Sequence, residues 1–202
     1  MSFAMGVTAQ IADIGAFVAG VVGQPREVAM NAGATDFRVN QIVLGGERAG
    51  MCAAIFEVPS VTAAMEVSAA VNGDADVLNF MRDSGVQVVS RSLMRIVAER
   101  GDTAGQYGSM LMMSGGQISD EVADSQMEDG WKHIASAANG MRLMQAWAAG
   151  ATPSPWALVG WTDDLDAYAT ASATSFADPK VQQNFADNNV VVHGRMVTKR
   201  LV

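Results

Sequence analysis

The sequence contains two copies of one unit. The segments FRVNQIVLGG and MRLMQAWAAG both carry Arg followed three places later by Gln, and both end in Gly. Arg38 and Gln41 correspond in this way to Arg142 and Gln145, an offset of 104 positions that aligns residues 1–98 with residues 105–202 without a gap. Such a repeat predicts two similar domains, and the polar residues 99–104 between them are the predicted linker.

Each half predicts the order strand-helix-strand-strand-helix-strand. In the second half, Ser119 or Asp120 can cap the first helix, and Asp178 followed by Pro179 predicts the start of a short helix. Pro25 predicts a break in the first helical region of the first half. The predicted strands lie at residues 3–10, 37–46, 51–58 and 86–97, and again at 107–114, 141–150, 156–162 and 190–201.

This element order is typical of the ferredoxin-like sandwich, in which one antiparallel sheet carries two helices on one face. The predicted fold class is therefore α+β, with two tandem ferredoxin-like repeats. The open face of each sheet has to be covered, and two repeats in one chain can achieve this by packing sheet to sheet as an α/β barrel.

Composition argues against several classes of partner. Half of the residues (50%) are hydrophobic and 17% are charged, which is enough for a packed core, and the net charge is −8. That charge disfavours binding to nucleic acid or to an anionic membrane. The single cysteine, Cys52, lies among apolar residues, which predicts a buried, unreactive thiol. The apolar N-terminus lacks basic residues and is interrupted by Asp13, so we expect no signal peptide and a cytoplasmic protein.

Two segments point to a known family. FEVPSVTAAMEVSAAVNGDADVLNFMRD and WTDDLDAYATASATSFADPKVQQNFAD each run from the end of a strand through a turn into an Ala-rich helix, which in the second copy contains Tyr168 and ends at an Asp-Pro break. Together with the element order, they resemble the dimeric α/β-barrel superfamily in a tandem duplicated form. Its relatives include antibiotic-biosynthesis monooxygenases, NIPSNAP-like domains, stress-responsive barrel proteins and chlorite-dismutase-like haem proteins. The resemblance implies a barrel with a cavity in each half, and it implies no particular reaction.

Few residues could carry chemistry. A haem group would require a proximal histidine, and the chain has only His133 and His193. His133 falls on the predicted helix opposite the core stripe and is expected to be exposed, whereas His193 shares a strand face with Arg195. His193 and Arg195 are weak catalytic candidates, and a structural role fits His193 better. No spacing predicts a metal site, a nucleophile or a nucleotide-binding loop, so no cofactor is predicted.

Methionine, tryptophan and glutamine indicate where a ligand could bind. Several of the 14 Met fall on predicted strands of the second half, where thioethers either line an adaptable apolar pocket or simply fill the core. Both Gln residues of the repeated motif fall on the strand face predicted to be covered by helices, where an amide needs a partner. The predicted binding residues for an apolar or aromatic ligand are Gln145, Trp147, Met112, Trp161 and Gln41.

Strand arginines also recur, Arg38 with Arg142 and Arg91 with Arg195. In a ferredoxin-like sheet the second and fourth strands are the edges. Closure of two such sheets into a barrel predicts Arg38 near Arg195 and Arg142 near Arg91, with acidic partners or an anionic ligand group between them. Edge protection and salt bridging are the alternative roles for these residues.

Three functions are compatible with these patterns. The first is a small-molecule-binding protein or a cofactor-independent enzyme, with an apolar ligand in the second half, which holds both His and all four Trp. The alternative is a non-catalytic structural or self-assembling protein, because abundant small residues also suit close subunit packing. A haem-binding barrel protein is the third. We expect a homo-oligomer without nucleic-acid or membrane partners.

Overall fold

The computed structural model of the protein describes residues 1–202. Contacts along the chain divide it into two compact units. Unit 1 comprises Met1–Arg95, Trp147–Gly150 and Arg200–Val202, and unit 2 comprises Ile96–Ala146 and Ala151–Lys199.

The first half of the chain begins with a strand, and two short helices follow it where one broken helix was predicted. Its main elements are β1 (Ser2–Ile11), α1 (Ile14–Val21), α2 (Gln24–Asn31), β2 (Asp36–Leu44), β3 (Cys52–Val58), α3 (Val61–Gly73), α4 (Ala75–Asp83) and β4 (Val86–Gly101). The predicted break is confirmed, because α1 ends before Pro25 and Pro25 occupies the first turn of α2.

The second half repeats this order with a single, longer helix after its first strand. Its elements are β5 (Tyr107–Ser114), α5 (Asp120–Ile134), β6 (Gly140–Ala148), β7 (Trp156–Thr162), α6 (Leu165–Ala177), α7 (Pro179–Asp187) and β8 (Val191–Arg200). The predicted caps are confirmed. The Ser119 hydroxyl accepts a hydrogen bond from the Val122 amide at the start of α5, and the Asp178 carboxylate accepts from the Lys180 and Val181 amides at the start of α7.

The eight strands hydrogen-bond in the closed order β1-β3-β2-β8-β5-β7-β6-β4. Within unit 1, β3 pairs antiparallel with β1 and with β2. Within unit 2, β5 pairs antiparallel with β7 and β8, and β6 with β7. The predicted α+β class and the barrel are confirmed. Closure also removes the free strand edges that an open sheet exposes to other chains.

The predicted linker begins inside a strand. β4 continues to Gly101, so the first three residues of the segment 99–104 are strand and not loop. The Asp102 amide then donates to the carbonyl of Asn139 at 2.9 Å, which ties the end of β4 to the start of β6. Backbone hydrogen bonding outweighs the polar composition that suggested a loop. The domain boundary in this segment stays a prediction.

The core of unit 1 is built from aromatic and β-branched side chains. Phe37 and Phe56 lie with ring centroids 5.0 Å apart, and Val39 and Val67 are fully buried. Cys52 is 2% exposed, and burial raises the pKa of its thiol. The expectation of a buried thiol is confirmed, and the raised pKa keeps the sulfur in its unreactive, protonated form.

Candidate functional site

Unit 2 contains a cavity of about 110 Å³ between its sheet and its helices. The wall on the sheet side is apolar, with Leu111 and Met113 from β5 and Trp156 from β7. Met127 on α5 and Phe176 on α6 line the helix side. The space is therefore enclosed mostly by hydrocarbon, sulfur and aromatic surface, as small-molecule pockets usually are.

Helix α6 presents hydroxyl groups to this apolar space. Tyr168, Ser172 and Ser175 line the cavity, and each is at most 6% exposed. Their spacing of four and then three residues places them on one face of the helix. No hydrogen bond joins the Ser175 hydroxyl to another side chain, and the residue lines the cavity, so the hydroxyl is available to a bound molecule.

A guanidinium lies directly behind this face. Arg195 on β8 donates from Nη1 to the Ser109 hydroxyl and from Nη2 to the Ser172 hydroxyl, both at 2.8 Å. Its guanidinium carbon also lies 5.9 Å from the centre of the Phe176 ring. Arg195 does not itself line the cavity, but Ser172 and Phe176, which it contacts, do.

Tyr168 joins the same cluster. A Cβ atom added at Gly160 on β7 would collide with the Tyr168 ring and hydroxyl, so the tyrosine packs directly against the backbone of that strand. Burial raises the pKa of Tyr168, and the charge of Arg195 and side-chain hydrogen bonds with Ser109 and Arg195 lower it by less. The phenol therefore stays protonated at neutral pH and can donate a hydrogen bond.

The strand that carries Arg195 is bulged next to the cavity. Met112 pairs with Gly194 and Met113 pairs with Val192, so His193 is an extra residue on β8. Bulges re-aim side chains and are frequent beside binding sites. His193 Nε2 lies 2.7 Å from the hydroxyl of Ser114, which lines the cavity. His193 is thus a hydrogen-bonded strand histidine, and its role and that of Arg195 in catalysis stay predictions.

The expectation of an exposed His133 is wrong. Its side chain is 21% exposed, and its Nε2 donates to the Asp178 carboxylate at 2.9 Å. The prediction considered α5 by itself, whereas the first turn of α7 packs against the side of α5 that was expected to face solvent. His133 therefore connects two of the helices that enclose the cavity and does not line it.

Asp178 makes this helix connection sensitive to acid. Partial burial would raise the pKa of its carboxyl, but hydrogen bonds from the Lys180 and Val181 amides and from His133 bring the pKa below its usual value. A lowered folded-state pKa stabilises the fold above the unfolded-state pKa of about 4, and the stabilisation disappears as pH falls through the folded-state value.

We therefore expect Asp178→Asn to lower the melting temperature at pH 7, and this difference from wild type to shrink as the pH falls and the wild-type carboxyl becomes protonated. Asparagine can still cap α7, so the difference reports the lost charge. Melting curves followed by circular dichroism between pH 2 and 7 measure it. Asp187→Asn, at the other end of α7, is the control, and an equal pH dependence in both variants would contradict the assignment.

The five residues predicted to bind ligand lie outside the cavity lining. Met112 lies on the opposite face of β5 from Met113, and Trp161 packs under the Arg142 guanidinium, 5.7 Å from its ring centre. Gln145 donates to the side-chain oxygen of Gln117 at 2.6 Å. Their roles as ligand contacts stay predictions.

The remaining two of the five belong to unit 1. Gln41 is partly buried and pairs in register with Cys52. Trp147 is 58% exposed and packs edge-on against Phe3, with ring centroids 6.5 Å apart. It is not part of a buried core, because β6 ends at Ala148 and the tryptophan is at the exposed end of the strand.

Two of the recurring arginines have the acidic partners that were expected. Arg38 Nη1 lies 2.6 Å from both the Asp36 and the Glu57 carboxylates. Arg142 pairs through Nε with Glu99 at 2.9 Å. Both side chains are mostly buried, at 6% and 14% exposure. The closeness of these arginines to their counterparts in the other half stays a prediction.

The sequence did contain a signal for the residues that line the cavity. Tyr168, Ser172 and Ser175 recur with helical spacing inside a helix of small residues, at positions where a core helix would normally carry aliphatic side chains.

Unit 1 has a smaller cavity of about 70 Å³ with apolar lining residues such as Phe17, Val39 and Phe56. No group of three His, Cys, Asp or Glu side chains is arranged to hold a metal ion.

The fold has clear relatives among solved structures. No family model matches the sequence, and no curated protein matches it. A mutant chlorite dismutase from Candidatus Nitrospira defluvii in complex with cyanide superimposes with a TM-score of 0.59 at 8% identity, over 98% of this chain and 90% of that one. A haem-binding protein from Thermus thermophilus gives 0.60 at 11% identity, over 98% and 90%. The chain has the dimeric α/β-barrel fold.

A third neighbour belongs to another functional class. It is a protein from Fusobacterium nucleatum subsp. nucleatum, provisionally described as a monooxygenase, with a TM-score of 0.57 at 7% identity over 100% of this chain and 93% of that one. At such identities the likeness shows the fold alone, because one fold supports many functions. No helix of the structure is both long enough and apolar enough to cross a bilayer.

The residues present do not fit haem. Drug-sized ligands usually occupy pockets of about 300–1,000 Å³, and haem is at least that large, whereas this cavity is about 110 Å³. Neither histidine lines it, and the Tyr168 hydroxyl, which could otherwise bind iron, interacts with Ser109 and Arg195. The cavity of unit 2 therefore does not provide a haem site. The prediction that the protein needs no cofactor remains a prediction.

Proposed function

We propose that the protein binds a small, largely apolar molecule in the cavity of unit 2. The single observation that carries this proposal is a mostly apolar cavity with the hydroxyls of α6 at one side. An ordinary core would fill such a volume, since voids larger than a water molecule are few and destabilising. Barrel proteins of this fold that bind small molecules support the same interpretation.

The volume limits the size of the ligand. An apolar cavity of about 150 Å³ is sufficient to bind benzene, and this cavity is of comparable size at about 110 Å³. A single aromatic ring or a short aliphatic chain therefore matches it. Met113, Met127 and Met141 on its walls can adjust their rotamers to the shape of a ligand, as flexible thioethers do elsewhere.

Gly130 provides a way to fill the cavity without disturbing the fold. It lies in the middle of α5 and lines the cavity, and a Cβ atom there would meet only the Ser175 hydroxyl at 3.7 Å and the Met141 methyl at 3.9 Å. We expect Gly130→Ala to stabilise the protein by about 0.5–1 kcal/mol, because alanine favours a helix interior over glycine. Gly130→Leu should occupy the cavity and weaken ligand binding by about tenfold or more, a difference of about 1.4 kcal/mol.

Binding is measured with benzyl alcohol as the probe, by NMR of protein labelled with ¹³C at the methionine methyl groups. Wild-type protein should show saturable shifts of the Met113, Met127 and Met141 methyls, and the Gly130→Leu variant should not. Gly20→Ala is the matched helical glycine, where the new methyl would collide with Phe80, so it should destabilise the protein and leave binding intact. Absence of any shift in the wild type, together with a large ordered assembly, would favour the structural alternative.

We also propose that the chain is a tandem duplication of a ferredoxin-like repeat. Each half has the order of strands and helices expected for that repeat, and the strand orders 4-1-3-2 and 8-5-7-6 are equivalent. Equivalent aspartates, Asp74 and Asp178, cap equivalent helices. Expression of residues 1–101 and 105–202 as separate fragments tests whether each repeat folds alone.

That the protein forms a homo-oligomer stays a prediction, and sedimentation velocity can check it.

A further inference from the structure

Arg195 differs from the other arginines of its unit. Arg100 and Arg142, the other two in unit 2, both pair with carboxylates. Arg195 donates only to the neutral hydroxyls of Ser109 and Ser172. In a protein with 21 acidic residues and 13 basic ones, a partly buried arginine without a carboxylate partner leaves positive charge uncompensated beside the cavity.

The hydroxyls between Arg195 and the cavity are oriented to donate. The Ser172 oxygen accepts from Arg195, which leaves its own proton free to be donated. The Ser175 hydroxyl, one helical turn further along α6, also lines the cavity. Tyr168 on the same face is neutral and carries a phenolic proton. These three groups and a cation behind them offer donors and positive potential, and no aspartate or glutamate is among the residues that line the cavity.

The first half of the chain lacks this arrangement. Arg91 stands where Arg195 stands in the second half, but it is exposed and donates to the Asn72 side chain. Tyr168 is replaced by Ala64 and Ser175 by Val71, and the cavity of unit 1 contains no serine or tyrosine. The two halves share a fold, so the polar group of unit 2 is an addition to it and not a requirement of it.

We propose that the ligand of this cavity is a small apolar carboxylic acid, with its carboxylate at Ser172 and Ser175 beside Arg195 and its apolar body against Met113 and Trp156. This proposal rests on the proposed function and specifies its ligand class. A single ring or a short chain fills the volume, and hydrogen bonds from hydroxyls held beside a guanidinium suit an ionised acid better than an alcohol, because charge-assisted hydrogen bonds are about twice as strong as neutral ones.

The test compares benzoate with benzyl alcohol, two probes of nearly equal size that differ in charge. Dissociation constants at pH 7 are measured from the methionine methyl shifts for wild-type protein and for the Arg195→Met, Ser175→Ala and Arg91→Met variants. Wild type should bind benzoate about tenfold more tightly than benzyl alcohol. Arg195→Met should remove that preference and leave the affinity for benzyl alcohol within about twofold, Ser175→Ala should reduce the preference, and Arg91→Met should change neither constant.

The outcomes separate this proposal from the proposed function. Equal or weaker binding of benzoate relative to benzyl alcohol in wild type overturns the acid proposal and leaves a neutral-ligand site standing. Failure of both probes to shift the three cavity methyls overturns both. If Arg195→Met does not fold, Ser175→Ala decides, because it removes one buried hydroxyl and keeps the arginine. If Ser175→Ala binds benzoate as tightly as wild type does and keeps the same preference for benzoate over benzyl alcohol, the assigned position of the carboxylate is rejected.

Discussion

Replacing Arg38 with methionine is expected to lower the free energy of unfolding by about 3–5 kcal/mol, the usual cost of removing one partner from a buried ion pair. The Arg38 side chain is 6% exposed and contacts two carboxylates, and that of Glu57 is only 14% exposed. Methionine keeps the length and apolar volume of the arginine stem, so the loss comes from the carboxylates left without their cation. Equilibrium unfolding in urea measures it.

Two further variants separate charge from packing. Arg91→Met makes the same chemical change at an exposed strand arginine and should alter stability by less than about 0.5 kcal/mol. Glu57→Gln added to Arg38→Met should recover part of the loss, because it removes one of the carboxylates left unpaired. If Arg38→Met costs no more than Arg91→Met, the Arg38 ion pairs contribute nothing to stability and the expectation fails.

Gly140→Ala is expected to destabilise the protein by about 3 kcal/mol or more, since overpacking against immobile atoms costs that much in the severe cases. A Cβ atom at this position would collide with the Asp102 carbonyl oxygen and lie 2.6 Å from the Asp102 nitrogen. These are backbone atoms, and the Asp102 amide is fixed by its hydrogen bond to the Asn139 carbonyl. Relief would require separating the end of β4 from the start of β6.

Thermal melting and amide exchange at residues 100–102 and 139–141 test this expectation. Gly73→Ala is the matched control at the end of α3, where a Cβ atom would meet no other atom within 4 Å. That variant should be neutral or slightly stabilised, since alanine restricts the unfolded chain. If the Gly140→Ala variant has the same melting temperature as wild-type protein, the ends of β4 and β6 can separate at little cost and the expectation fails.

The elements of the fold were predictable because each has a local cause in the sequence. Asp13, Ser119 and Asp178 accept hydrogen bonds from helix amides two or three residues further along the chain. Pro25 fits the first turn of a helix but not its interior, so it separates α1 from α2. Because the sequence is duplicated, each element predicted in one half could also be compared with its counterpart in the other half. The extension of β4 to Gly101 was not predicted, because the pairing of this strand depends on residues far along the chain, which local composition does not reveal.

The candidate site was less predictable for a similar reason. The sequence favoured Trp147 and Met112 by residue type, yet one is at an exposed strand end and the other on the opposite face of its strand from the cavity. The bulge at His193 shifts the register of β8, and a one-residue shift exchanges the two faces of a strand. Which serines face the cavity also depends on how α6 is rotated against the sheet, and tertiary packing determines that rotation.

The hydroxyl of Ser175 has a consequence for discrimination between similar molecules. A pure hydrocarbon of the right shape would fill the cavity but offer this hydroxyl no acceptor, so it would lack a hydrogen bond that a polar ligand can make. Sites built to hydrogen-bond a substrate reject analogues without the matching group far more strongly than an apolar wall rejects a missing methylene. In the proposed site, Ser175 would therefore favour, among molecules of equal shape, those that carry a hydrogen-bond acceptor.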